Sequence, residues 1–396
     1  MHDATKLIQP PTGDPSGGRP VRTINPALQR GSTVLFERYE DLAAANAGRY
    51  PGVTYGTDRL PVQRTFEQAM LELEGGGLTR AFPSGISAII NTLLAFTRAG
   101  DHILVCANAY GPTMHFCETV LARFQVETSV LPADAGAGIA GQLRPNTVLI
   151  LLESPGSNTF ELQDIPAITA IARERGILTV LDATWATPLY LKPFQLGVDV
   201  SVQSATKYIA GHSDVLLGVV TVTEALAERF DAFYRVMELF AAPEDCALAL
   251  RGLKTLPVRL RQHSRSALQV AQWLCGQPLV DQVLHPALPS HPEHHLWLRD
   301  FQGASGLFGF TFKEEFPEAR LAAFVNALRL FGIGYSWGGF QSLVTAARYP
   351  RALPSRYQDR TIVRLSIGLE DPEDLIQDLA SAFAVIAPGR GGSPAR

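Results

Sequence analysis

Between residues 101 and 206 one pattern recurs: a short run rich in Val, Ile and Leu, a turn, then a stretch with helical spacing. DHILVCA (101–107), NTVLILLESP (146–155), ILTVLDAT (177–184) and VDVSVQSAT (198–206) read as strands. TMHFCETVLARF (113–124) and IPAITAIARERG (165–176, closed by Gly176) read as the helices between them. Parallel strands need a crossover connection. Strands covered on both faces read as unbroken apolar runs rather than alternating ones. The alternation therefore predicts an α/β fold, a mostly parallel sheet with helices on both faces. A helix also reads over 64–75 (RTFEQAMLELEG), stopped by Gly75-Gly76-Gly77.

After about residue 255 the pattern changes. LPVRLRQHSRSALQVAQWLCGQ (256–277) reads as one long helix, followed by a Pro- and His-rich stretch (285–295). GLFGFTF (306–312), ARLAAFVNALRLFG (319–332) and TIVRLSIG (361–368) predict a small antiparallel sheet with helices on it. Residues 1–30, rich in Pro and Gly, read as an irregular arm, and 389–396 as a disordered tail. No internal repeats occur.

Composition narrows the function. With 34 Lys+Arg against 38 Asp+Glu, the net charge of -4 argues against a basic patch and a nucleic-acid partner. No apolar run approaches the ~18 residues of a membrane span, and the first residues lack an apolar signal core. The expectation is a cytoplasmic protein without a membrane partner. Cys106, Cys117, Cys246 and Cys275 show no metal-ligand spacing and read as reduced, mostly buried thiols. Of the 34 cations only five are lysines: Lys6, Lys192, Lys207, Lys254 and Lys313. Any lysine chemistry must use one of these.

In open α/β sheets, ligands sit beyond the carboxyl ends of the strands. The polar residues predicted there are Tyr110, Glu153, Ser154, Asp182, Thr184, Ser204, Thr206 and Lys207. Gly85, in PSGISA (83–88), precedes a helix-like run, so its free amides form an anion site. A lysine for a Schiff base, a carboxylate for a pyridine nitrogen, hydroxyls and amides for a phosphate, and an aromatic face for a ring are the parts that bind pyridoxal phosphate. Each has a bland reading too: Asp182 as a helix cap, Tyr110 as a turn aromatic, Lys207 as a solvated surface residue.

The stretch SVQSATKYIAGHSD (201–214) resembles the lysine-bearing signature of the Cys/Met-metabolism pyridoxal-phosphate enzymes. The resemblance runs from about Tyr55 to Glu370. It includes PSGISAI (83–89), NAYGPT (108–113), ESPGS (153–157), DATWATP (182–188), RGLKTLPVR (251–259), YSWGGFQSL (335–343) and VRLSIGLED (363–371). Within that family the chain is most similar to cystathionine β-lyases, through the Tyr335–Gly339 run and ESPGS. γ-Lyases and γ-synthases tend to carry Leu at Trp337 and Asn-Pro at Ser157-Asn158.

The resemblance implies a fold type I pyridoxal-phosphate transferase-like architecture with a seven-stranded sheet. It implies an N-terminal arm (1–60) contacting a neighbouring subunit, a cofactor domain (61–255), a substrate-side domain (256–396) and a homotetramer. Lys207 is then the Schiff-base lysine and proton shuttle. Asp182 pairs with the pyridinium nitrogen, and Tyr110 stacks on the ring. Thr184, Ser204, Thr206 and the Gly85 and Ile86 amides complete the cofactor site. Arg364 grips the substrate carboxylate, with Ser336, Trp337 and Tyr335 beside it. Tyr55 reaches a neighbour's active site. The implied reaction is β-elimination of L-cystathionine or another cysteine S-conjugate, in methionine metabolism, with γ-elimination or γ-replacement as the alternative.

One departure stands out. The family's Tyr-x-Arg, whose arginine holds the neighbour's phosphate, reads Tyr55-Gly56-Thr57 here. Either Arg59 takes over that contact or the contact is lost; the expectation is Arg59. Three rival classes fall away. GYSWG (334–338) matches a nucleophile elbow, but that fold needs a later histidine and the last one is His295. HPEHH (291–295) lacks the spacing of a zinc helix and reads as a solvated loop, so no metal is expected. A non-catalytic pyridoxal-phosphate module would not need Lys207, Asp182 and Arg364 together.

Overall fold

The computed structural model describes residues 24–387. Most of the arm at 1–30 and the tail 389–396 lie outside the described residues. The first sheet contains β1 (Leu78–Phe82), β2 (His102–Cys106), β3 (Glu127–Leu131), β4 (Thr147–Glu153), β5 (Leu178–Asp182), β6 (Val200–Ser204) and β7 (Gly218–Val222), in the order β1-β7-β6-β5-β4-β2-β3. Pairings among β2 to β6 are parallel, whereas β7 runs antiparallel to both β6 and β1.

Side chains alternate between the two faces, and both faces are buried. Leu104, Ile150, Leu152 and Leu181 join one apolar cluster with the helix Ile165–Glu174. Ile103, Val105, Leu149, Leu151 and Val180 join the other with the helix Gly85–Phe96. The strands thus read as continuous apolar runs because water reaches neither side.

The second sheet contains β8 (Val280–Leu284), β9 (Leu307–Phe312), β10 (Gly332–Ile333), β11 (Leu343–Arg348) and β12 (Thr361–Ser366), in the order β10-β11-β12-β9-β8. It is antiparallel except for the short β10–β11 pair. Phe308, Phe310 and Phe312 pack with Phe324 of the helix Glu318–Ala327 and Phe383 of the helix Pro372–Ile386.

Several elements differ from expectation. The long helix runs from Pro243 to Cys275 with Pro257 in its interior. Pro favours the first turn of a helix, which misplaces the start. This helix crosses the anticipated 255/256 boundary. Strands β1, β3, β7, β8, β10 and β11 were not anticipated; LTRAF and ETSVL mix polar residues into short runs. The segment 113–124 divides into an α-helix (Gly111–Thr119) and a 3-10 turn (Leu121–Phe124). In HPEHH, His291 is only 3% exposed, so the solvated-loop reading fails there. Of the cysteines, Cys275 alone is exposed. Among the described residues, no helix is long and apolar enough to cross a membrane, and no His/Cys/Asp/Glu group could hold a metal ion.

Candidate active site

A cavity of about 330 Å³ opens at the carboxyl ends of β4, β5 and β6. The first sheet supplies Gly85, Ile86, Tyr110, Asp182, Thr184, Ser204, Thr206 and Lys207; Tyr335, Ser336, Trp337 and Arg364 complete the wall from the second. Twelve of the fourteen residues given a role from sequence therefore line one space.

Lys207 lies just past β6, in the connection to β7. Its Nζ donates to Ser336 Oγ at 2.7 Å and sits 5.3 Å from the centre of the Trp337 ring. Burial, with the Arg364 charge adding to it and Asp182 opposing it, pushes its amine down to about 8. Desolvation penalises the charged form, so an amine in this wall gives up its proton more readily than one in water. Asp182 ends β5. Its Oδ1 accepts from the Thr184 amide at 3.0 Å and the Thr184 hydroxyl at 2.5 Å. Burial pushes its carboxyl up, against those bonds and the pull of Lys207. Thr184 Oγ1 also accepts from the Ser204 amide at 2.8 Å, tying the ends of β5 and β6 together.

The helix Gly85–Phe96 begins at the cavity. Ser84 caps it, its Oγ accepting from the Ser87 amide at 3.2 Å. The first-turn amides of Gly85 and Ile86 have no acceptor within the helix. A Cβ at Gly85 would lie 2.6 Å from the Ser204 hydroxyl, so this corner stays open only for glycine. On the second-sheet side, Arg364 Nη1 donates to Asn158 Oδ1 at 3.2 Å and Nη2 to the Ser336 carbonyl at 3.4 Å. Burial lowers its guanidinium from the usual range.

Two named residues are elsewhere. Tyr55, half exposed, opens on a separate groove with Arg30, Thr57, Phe240 and Pro243. Arg59 lies away from this cavity. Its side chain is 13% exposed and faces inward, 3.6 Å from Glu67 and 3.5 Å from Asp231, in a cluster shared with Arg80. Within its own chain the guanidinium is thus paired with two internal carboxylates.

Sequence reasoning gave no role to two further wall residues. Glu153, the cross-strand partner of Asp182, accepts from Tyr110 N–H at 2.6 Å and from the Ser157 hydroxyl at 2.5 Å. Burial, with Asp182 adding to it, pushes its carboxyl up to about 8. Its place at the end of β4, beside the strand bearing Asp182, was the available signal. Asn158 was noted only as a departure from Asn-Pro.

The donor set fits pyridoxal phosphate. An amine partly neutral near pH 7, a buried carboxylate one strand away, and a glycine-walled corner where helix amides meet the Ser204 hydroxyl are what an aldehyde, a pyridine nitrogen and a phosphate require.

The comparisons agree. The family described as Cys/Met metabolism PLP-dependent enzyme matches residues 5–384. The chain is 40% identical over 371 residues to the cystathionine beta-lyase MetC of Escherichia coli, covering 92% of this chain and 94% of that one. It is 40% identical over 380 residues to the cystathionine beta-lyase of Bordetella avium, covering 94% of each. The crystal structure of metB from Corynebacterium glutamicum superposes with a TM-score of 0.84 at 29% identity, over 91% of this chain and 93% of that one. With its mostly parallel sheet, its smaller second sheet and this cavity between them, the chain belongs to the Cys/Met-metabolism family of enzymes that depend on pyridoxal 5'-phosphate.

Proposed function

We propose that this enzyme breaks the Cβ–S bond of L-cystathionine, consuming one water, to give homocysteine, pyruvate and ammonia, or that of a related cysteine S-conjugate to give its thiol with pyruvate and ammonia. The observation that carries the proposal is the meeting of Lys207 with Ser336 and Trp337 in one wall, within the cavity that also holds Arg364. The cystathionine beta-lyase relatives support it.

Arg364 binds the substrate α-carboxylate through its fork of N–H donors. That grip orients the Cα–H bond toward the amine. Lys207 takes the Cα proton; lowering its ammonium to about 8 keeps a useful fraction as free base at neutral pH. Ser336 Oγ steadies the amine at 2.7 Å, and Trp337 covers it from water. Lys207 then returns the proton to the departing sulfur. When bound, pyridoxal 5'-phosphate supplies an electron-poor ring that draws off the pair left at Cα. Asp182 is the residue to hold the proton on that ring's nitrogen, Tyr110 to stack on its face, and Ser204, Thr206 and the Gly85 and Ile86 amides to hold the phosphate.

We infer further that the enzyme is a cytoplasmic homotetramer, its arm (1–60) lying on a neighbour, with 61–255 as cofactor domain and 256–396 as substrate-side domain. Exposed Tyr55 and Phe240, which line one groove with Arg30 and Pro243, support a covered face there. Light scattering on the purified protein tests the assembly. Product analysis on L-cystathionine tests the reaction. Pyruvate with homocysteine is expected; 2-oxobutyrate with cysteine would replace the proposal by γ-elimination.

A further inference from the structure

Among the described residues Arg364 has no ion-pair partner. Its two hydrogen-bond partners, Asn158 Oδ1 at 3.2 Å and the Ser336 carbonyl at 3.4 Å, are neutral oxygens. A guanidinium so placed is aimed but not neutralised, and whatever aims it also decides how much charge is left for a ligand. Of the two partners, only Asn158 contributes a side chain.

Asn158 is itself firmly presented. Its φ of 67° lies in the left-handed region, which Asn tolerates better than most residues. The turn around it is clamped from three directions. The Ser157 amide donates to the Asn108 carbonyl at 2.9 Å, and the Ser157 hydroxyl donates to Glu153. Arg351 donates to the Ser157 carbonyl and, at 3.1 Å, to Thr159 Oγ1. Phe160 N–H closes back on the Gly156 carbonyl at 3.0 Å. A Cβ at Gly156 would strike the Asn108 side chain, which fixes how closely the turn sits on its support.

We propose that Asn158 is the positioning residue that aims Arg364 at a ligand carboxylate while withholding a competing charge, so that it sets the enzyme's preference for amino acids over plain amines. The inference deepens the proposed function by naming what makes its substrate grip selective. The amide and a carboxylate have nearly the same shape, but a carboxylate here would form a charge-assisted, forked pair with Arg364. Such bonds are roughly twice as strong as neutral ones. The ligand would then compete with an anion already in place.

The test uses the pyridoxal-phosphate-loaded enzyme and its visible absorbance. Two probes are titrated: glycine, which carries a carboxylate, and ethylamine, which does not. In the Asn158→Asp variant the Kd for glycine should rise ~100-fold, the size reached when a charged hydrogen bond is lost, with ethylamine unchanged. Asn158→Gly keeps the left-handed backbone and removes the side chain. It should raise the glycine Kd by ~10-fold, again without touching ethylamine, and it carries the test alone if Asn158→Asp does not take up cofactor. An unchanged glycine Kd, or an equal rise for both probes, overturns the proposal. Because glycine reads the carboxylate grip directly, failure of the wild type to release pyruvate from L-cystathionine would sink the proposed reaction and leave this result standing.

Discussion

The amine of Lys207 offers a quantitative check on the cavity. Burial is the largest cause of its lowering to about 8, with the Arg364 charge second and Asp182 pulling the other way. At pH 7 a group titrating there is neutral in ~1 molecule in 10, against ~1 in 3,000 for an ordinary lysine, a gain of ~300-fold in reactive amine. Only the neutral amine adds to an aldehyde. Cofactor-depleted protein mixed with pyridoxal 5'-phosphate should therefore colour at a rate that climbs ~tenfold per pH unit up to about 8 and then levels. Stopped-flow absorbance between pH 6.5 and 10 reads that curve. Arg364→Gln removes the second cause, so its break should move to higher pH. A rate still climbing ~tenfold per unit from pH 8.5 to 10 would refute the reasoning, since that is how a solvated lysine behaves.

Three further outcomes follow from the same geometry. Asp182→Asn keeps the shape of the Thr184 contacts but not the charge; turnover should fall by ~100-fold or more with substrate Kd changed little, and near-normal turnover in a steady-state assay would remove its proposed role. Arg59→Ala takes one cation from Glu67 and Asp231 but leaves Arg80 in place. It should cost about 1–2 kcal/mol in thermal unfolding and leave cofactor retention unchanged. His291 is buried and held down to about 4, mainly by desolvation and then by Arg356. Its folded pKa lies below the unfolded one, so its neutral form favours the fold above pH 6.5, and stability drains as pH falls from there toward 4, by about 3 kcal/mol for this group. His291→Asn should remove that part of the acid slope in unfolding midpoints; an unaltered slope would contradict the burial argument.

What could be read from sequence follows from where water is excluded. β2, β4, β5 and β6 are central strands covered on both sides, and their Ile, Val and Leu runs say so. β3 is an edge strand with only Leu131 fully covered, so ETSVL carries no such signature. The reversed direction of β7 is set by the connection 205–217, which has no crossover helix to return the chain to the other end of the sheet. That Lys207, Asp182 and Arg364 share a cavity was legible because the first two lie at or just past strand ends and a spaced family signature reaches Arg364 inside β12. The inward turn of Arg59 was not, because it depends on Glu67 and Asp231, up to 172 positions away. Asn158 stayed hidden for a similar reason: Arg364 is 206 residues further on.

The two sheets share one apolar cluster, in which Leu284, Leu307 and Ile362 of the second meet Leu104, Ile150 and Leu181 of the first, and neither sheet alone surrounds the cavity. Partial melting of the carboxyl-terminal layer would strip away Ser336, Trp337 and Arg364 and bare one face of the first sheet, while the cluster on its other face still holds the strand ends that carry Asp182 and Lys207. Such a half-molten protein would remain yellow but blind to amino acids, so colour alone is a poor measure of how much of a preparation is intact.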